Sequence, residues 1–191
     1  MTIRFGIASR PFPGERHCGD AAWVVERVGE RLVLVVDALG HGALAAREID
    51  AVASLDWKHW DGGPSAIVRR LHQERMGGRG AAVMACVLRP GAGGWLATLC
   101  GVGNIRAGLL GSGATIEGIP GIVGGRVARS LREEELWLPT GAVLAIATDG
   151  VSSMMWREPV SRLASLDRLA GQFVSHFGSQ RDDASVVVAR A

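Results

Sequence analysis

The sequence predicts an α+β fold in which antiparallel sheets pack together and helices cover them from outside. Three observations predict it. Short apolar runs separated by glycine-rich breaks recur along the chain, most connections are of hairpin length, and helical periodicity is confined to a few stretches. Hairpin-length links pair neighbouring strands antiparallel and argue against repeated βαβ units.

Ile3–Ala8 reads as a first strand, followed by a loop, Arg10–Gly14, that holds two prolines. Ala21–Arg27 and Arg31–Asp37 form a hairpin about Gly29-Glu30. From Gly42 the period changes, with Leu44, Ala45, Ile49, Val52, Ala53 and Leu55 at helical spacing. A second helix begins near Pro64, a residue favoured in a first turn, and carries Ile67, Val68 and Leu71 to about Arg75. Gly77-Gly78-Arg79-Gly80 breaks it. Strands are expected at Ala81–Leu88, Gly94–Val102 and Ile105–Leu110, with Thr115–Glu117 as a short fourth. Gly118–Gly125 is a glycine-rich loop. Arg126–Leu138 has a helix-like Arg-Glu-Glu-Glu run, yet Val127, Leu136, Trp137 and Leu138 fit an extended segment, which is the expectation. Ala142–Thr148, a helix over Ser165–Phe177 and a last strand, Ala184–Ala189, complete the chain. Nothing reads as a linker, so 1-191 is expected to be a single domain with no sensor segment before Ile3 or after Ala189.

Composition bounds the function. A chain of 191 residues, 48% of them hydrophobic, can bury a core without staples. No apolar run approaches the ~20 residues of a membrane span. Arg4, Arg10 and Glu15 interrupt any signal-like core, so a cytoplasmic protein with no membrane partner is expected. Cys18, Cys86 and Cys100 are odd in number and far apart, which suits reduced thiols rather than a disulfide framework. Net charge is only +2, Lys58 is the sole lysine and tyrosine is absent, so neither a basic stripe nor a stacking platform for nucleic acid is present.

Chemistry concentrates in aspartates. Asp37 and Asp149 follow the apolar runs Leu32–Val36 and Val143–Ala147, Asp182 and Asp183 precede Val186–Ala189, and Asp20 precedes Ala21–Val25. Singly, an aspartate before glycine is a turn residue. Jointly, carboxylates at several strand ends suit an all-oxygen site for a hard cation, and adjacent aspartates repel unless something offsets their charge. Rival motifs fail. Gly101-Val102-Gly103-Asn104-Ile105-Arg106 lacks the third glycine and the helix of a dinucleotide site. No glycine loop carries a Walker lysine, and Gly111-Ser112-Gly113 lacks a nucleophile-elbow context. His41 reads either as a turn residue or as a proton donor beside Asp37.

These residues resemble the PPM-type metal-dependent protein phosphatases, in their bacterial SpoIIE-like branch. The matching pieces are Cys18-Gly19-Asp20, Val36-Asp37-Ala38-Leu39-Gly40-His41-Gly42, Arg79-Gly80-Ala81, the Gly101–Arg106 segment, Ile119-Pro120-Gly121, Thr148-Asp149-Gly150 and Arg181-Asp182-Asp183-Ala184-Ser185. The resemblance implies an αββα sandwich of two mainly antiparallel sheets flanked by helices, with two Mn²⁺ or Mg²⁺ ions at one end. Asp37 would bridge the ions and the Ala38 carbonyl would bind one. Asp149 and Asp182 would complete the other, Asp20 would act directly or through water, and Asp183 would support its neighbour or join the metal set. His41 is the candidate catalytic side chain, and Arg10 and Arg16 are candidates for phosphate contact. Ala38 departs from the family's usual glycine, and Gly19-Asp20 lacks the acidic pair of the larger eukaryotic members. The implied reaction is hydrolysis of phosphoserine or phosphothreonine by a water that two metal ions activate. The implied partner is a phosphorylated STAS-domain protein or stressosome component of a stress-signalling, partner-switching module, met by a monomer. Two rivals remain: a catalytically weak scaffold of the same fold, and a hydrolase of small phosphoesters.

Overall fold

Strand Glu30–Ala38 sends Leu32, Leu34 and Val36 to one face and Val33 and Val35 to the other, and both faces are buried. In this computed structural model, which describes residues 2–59, 61–75, 77–161 and 164–191, that alternation sets the layers. The chain runs β1 (Arg4–Arg10), β2 (Asp20–Arg27), β3 (Glu30–Ala38), α1 (Gly42–Ala53), α2 (Pro64–Glu74), β4 (Ala81–Gly91), β5 (Gly94–Val102), β6 (Arg106–Leu109) and β7 (Ile116–Glu117). It continues with β8 (Glu134–Pro139), β9 (Val143–Ala147), α3 (Leu166–Phe177) and β10 (Ala184–Arg190). One sheet has the order β2-β3-β4-β5-β8 and the other β1-β10-β9-β6-β7, and the strand pairs are antiparallel.

Three apolar layers hold the sheets and helices together. Val33, Val35, Met84, Cys86, Leu144, Ile146 and Val187 pack between the sheets. Leu32, Leu34 and Val36 meet Val52, Ile67 and Leu71 of α1 and α2 on one outer side. Val186 and Val188 meet Leu166, Ala170 and Phe173 of α3 on the other. The order is therefore helix, sheet, sheet, helix, the αββα sandwich expected. Truncating a fully buried residue such as Leu34 to alanine would cost about 2–5 kcal/mol.

Several expectations need adjusting. Within Arg126–Leu138 only Glu134–Pro139 forms a strand; Val127 and Leu131 turn separately onto the helix-covered core, which takes the intervening chain out of the ladder. Short 3₁₀ turns at Trp57–His59 and Ser153–Arg157 were not anticipated. On α1, Leu44 faces solvent while Glu48 is buried, because Arg75 from the end of α2 pairs with it at 2.7 and 3.0 Å. The three cysteines are free, Cys86 and Cys100 buried and Cys18 partly so. Among the described residues no helix is long and apolar enough to cross a membrane.

Candidate metal centre

The alternation that builds the core also delivers carboxylates to one end of it. Ala22 and Val24 of β2 face the space between the sheets, and so do Val33 and Val35 of β3. Asp20 and Asp37 share their parity and are direct cross-strand partners, so both point into the mouth of the sandwich. Leu144 and Ile146 of β9 carry the same alternation to Thr148 just past its end, and Val187 and Ala189 of β10 carry it back to Ser185.

A cleft of about 330 Å³ opens there, lined by Asp37, Leu39, Gly40, His41, Ala82, Asn104, Asp149, Arg181 and Asp182. Asp20 lies behind Asp37, only 4% exposed, and its Oδ2 accepts a 2.6 Å hydrogen bond from the Thr148 hydroxyl. The same hydroxyl oxygen accepts the Ser185 N–H at 2.9 Å, which locks Thr148 between two strands and Asp20. Asn104 Nδ2 donates to Asp149 Oδ2 at 2.5 Å and fixes that exposed carboxylate over the cleft. Asp182 Oδ1 accepts the N–H of Asp183.

Of the metal set read from the sequence, Asp37, Asp149 and Asp182 line the cleft and Asp20 backs it. Asp183 does not line the cleft. It is 1% exposed, its Oδ1 accepts the Phe12 N–H at 2.7 Å and its Oδ2 the Gly19 N–H at 2.9 Å. That carboxylate ties two N-terminal loops to the start of β10. One backbone donor on each oxygen suits the supporting role beside Asp182 that the resemblance implies. Ala38 is buried at the end of β3, and its N–H reaches the Gly19 carbonyl at 2.9 Å. Positive φ falls on Gly40 and Gly42 instead, so alanine at 38 carries no backbone strain. Gly150 is required for another reason: a Cβ there would stand 1.7 Å from the Asp183 carbonyl oxygen.

His41 immediately precedes α1, stacks on Phe12 with ring centroids 4.4 Å apart, and sets Nδ1 3.3 Å from Glu15 Oε1. Arg10 does not reach the cleft; its guanidinium donates to the Ser179 carbonyl beyond α3. Arg16 is exposed and does not line the cleft either. Arg181, which sequence reasoning passed over, is the one arginine or lysine lining it among the described residues. Asn104 and Thr148 were missed as site residues too, although both lie inside motifs that had been singled out.

Electrostatics mark the cluster. Burial, and then the charge of Asp37, push the Asp20 carboxyl up to about 9, against the pull of the Thr148 hydrogen bond. Burial and the charges of Asp149 and Asp182 push Asp37 up to about 7. Asp182 is also raised, by burial and then by Asp149. Among the described residues, no three His, Cys, Asp or Glu side chains close on one point as a finished cage. The fit to a cation rests instead on the donors. They are hard oxygens crowded at one rim, and they repel one another in the protein's own field. Magnesium and manganese prefer oxygen donors, and magnesium usually keeps several waters beside one or two carboxylates, so an open acidic rim is compatible with them.

Comparison with solved structures settles the fold. A structure described under the bacterial stressosome, a modular system adapted to control secondary messenger signaling, matches with a TM-score of 0.82, 28% identity and coverage of 100% of both chains. RsbX in complex with magnesium matches with a TM-score of 0.78 and 22% identity over 98% of this chain and 94% of that one. The fold is that of the PPM-type phosphatases. The catalytic domain of the serine/threonine phosphatase PstP, in complex with two manganese ions, shares it with a TM-score of 0.65 and 15% identity over 98% of this chain and 97% of that one. No protein-family model and no curated protein matches the sequence.

Proposed function

We propose that the chain is a divalent-metal-dependent protein serine/threonine phosphatase of the SpoIIE-like branch, acting in the cytoplasm as a single catalytic domain. The observation that carries the reading is the set of four aspartates, Asp20, Asp37, Asp149 and Asp182, gathered from separate strand ends around one cleft in a PPM-type fold. Asp37, Asp149, Asp182 and the Ala38 carbonyl would hold two Mn²⁺ or Mg²⁺ ions, with Asp20 behind them. When bound, the ions would supply Lewis-acid stabilisation of phosphoryl oxygens and an activated water.

The chain's own groups do the rest. Asn104 orients Asp149, Thr148 orients Asp20, and Asp183 fixes the Gly19 loop that precedes Asp20. Arg181 offers the cleft a guanidinium for a phosphate dianion. His41, which lines the cleft, is the candidate proton donor to a leaving alkoxide. No serine or cysteine nucleophile lines the cleft among the described residues, so direct attack by water without a phosphoenzyme fits the lining.

Similarity to a stressosome structure and to RsbX supports a phosphorylated STAS-domain protein or stressosome component as the substrate. The test is turnover of para-nitrophenyl phosphate and of such a phosphoprotein, with and without metal. Mn²⁺ or Mg²⁺ should support both reactions, chelator should abolish them, and zinc should support them poorly. Full activity in verified metal-free protein would overturn the reading. Equal efficiency on the two substrates would favour a small-phosphoester hydrolase, and tight metal binding without turnover would favour a scaffold.

A further inference from the structure

Two hollows adjoin the aspartate cleft, and each exceeds it in volume. Leu39, Ala82 and Asn104 line both the cleft and a neighbouring hollow of about 590 Å³. Pro120, Gly121 and Ile122 in turn line both that hollow and a third one, of about 830 Å³, whose far wall carries Arg126 and Arg129. The three spaces thus lie in series, with Asp37, Asp149 and Asp182 at one end and Arg126 and Arg129 at the other.

The walls are held in place. Ile119 exchanges backbone hydrogen bonds with Gly101 and Gly103 at 3.0 and 2.8 Å, and Val123 pairs with Ala81 at 2.9 and 3.0 Å. The Gly124 N–H donates to His72 Nδ1 at 3.1 Å, and Ile122 and Arg126 close a tight turn at 2.7 Å. Along the floor, Leu39 and Ile122 leave large apolar side chains exposed. Mid-groove, Glu117 is paired with Arg106 at 3.3 Å. Arg126 and Arg129 form no ion pair with a described residue, so their charge is available to a ligand.

We propose that this groove receives the stretch of substrate polypeptide on one side of the phosphorylated residue, with an apolar side chain on Leu39 and Ile122 and acidic side chains at Arg126 and Arg129. The inference deepens the phosphatase reading and rests on it. Because the hollows adjoin the cleft in series, an extended ligand lying in them can present its phosphoryl group to the aspartates. The two guanidiniums select for acid at the far end, while the Glu117–Arg106 pair leaves the middle without net charge. A polypeptide is the occupant because hollows of about 590 and 830 Å³ beside the cleft are more than a lone phosphoester fills, and their lining holds both apolar and charged side chains.

The experiment compares phosphoserine peptides that share one core and carry two Glu or two Lys on either flank, in saturating Mn²⁺. Turnover is expressed relative to para-nitrophenyl phosphate, which cannot reach Arg126. One acidic flank should raise kcat/KM by roughly 3- to 10-fold over the basic one, as two exposed charge pairs allow, and 0.5 M salt should erase the gain. R126E/R129E should reverse the preference towards the Lys-flanked peptide, a gain that a misfolded variant cannot show. Hydrolysis of every peptide with no flank preference would overturn the groove assignment while leaving the phosphatase reading intact. No hydrolysis of any phosphoester would overturn both. A concentration-dependent dimer dissolved by R126E/R129E would give the groove to a second copy of the chain and overturn the proposal.

Discussion

Asp20 and Asp37 face each other directly across the β2–β3 ladder, two carboxyls on one side of one sheet at the mouth of a buried core. Like charges so placed are destabilising in a plain ladder. Both carboxyls hold their protons more tightly in the folded chain than in the unfolded one, where an aspartate titrates near ~3.9. Stability from this pair is therefore complete below about pH 4 and is lost as pH rises, through about 7 for Asp37 and about 9 for Asp20. In chelator, the melting temperature should fall from pH 5 to pH 9, and Asp20→Asn should flatten the fall. A profile for the parent that is level across this range would show that the pair is not strained.

Asp37→Asn and Asp149→Asn should each lower metal-dependent turnover by at least about 100-fold, beyond the loss typical of groups one step removed from a metal. Neither should unfold the protein, and in chelator Asp37→Asn should melt no lower than the parent because a repulsive charge is gone. Melting curves beside initial rates check this, and near-parental turnover by Asp149→Asn would move the site elsewhere.

Arg181→Ala should raise KM for a phosphoprotein and weaken inhibition by inorganic phosphate, with a smaller effect on kcat. Arg181→Lys should recover part of the loss, since charge survives but the bidentate fork does not. An unchanged phosphate inhibition constant would remove Arg181 from the phosphate's surroundings.

His41→Ala should cost less than about tenfold in turnover, because the ring is already engaged with Phe12 and Glu15. General acid catalysis is worth ~10²–10⁴-fold, so a loss of that size would make His41 the proton donor to the leaving group.

Gly150→Ala should destabilise by at least about 1–3 kcal/mol, since the new methyl would meet the Asp183 carbonyl 1.7 Å away and backbone must give. Thermal melting reads it directly, and activity should drop with it because Asp182 moves with that carbonyl.

What could be read from the chain alone followed from alternation. Residues 32 to 36 report two buried faces, and the same parity carries Asp37 to the inter-sheet mouth, so strand, layer and carboxylate were legible together. Asp183 was not, because its partners Phe12 and Gly19 lie 171 and 164 positions away and no local pattern encodes them. Asn104 looked like a turn residue because a turn is what it occupies; its grip on Asp149 depends on how two strand ends meet. Glu48 broke the helical stripe for a similar reason, since Arg75 is what makes its burial tolerable. The limit of Arg126–Leu138 was missed because an extended segment and a strand share the same local signature until a neighbouring strand is there to pair with it.

The pairing of β1 with β10 has a consequence for biosynthesis. On the ribosome β1 emerges before the other strands and must wait, edge exposed, until Ala184–Arg190 has been made. The second sheet cannot close before then, and Asp182 and Asp183 arrive only with that last strand. A nascent chain stalled anywhere upstream of β10 therefore holds an unfinished sandwich and lacks Asp182, so the acidic cluster is complete only once β10 has been synthesised.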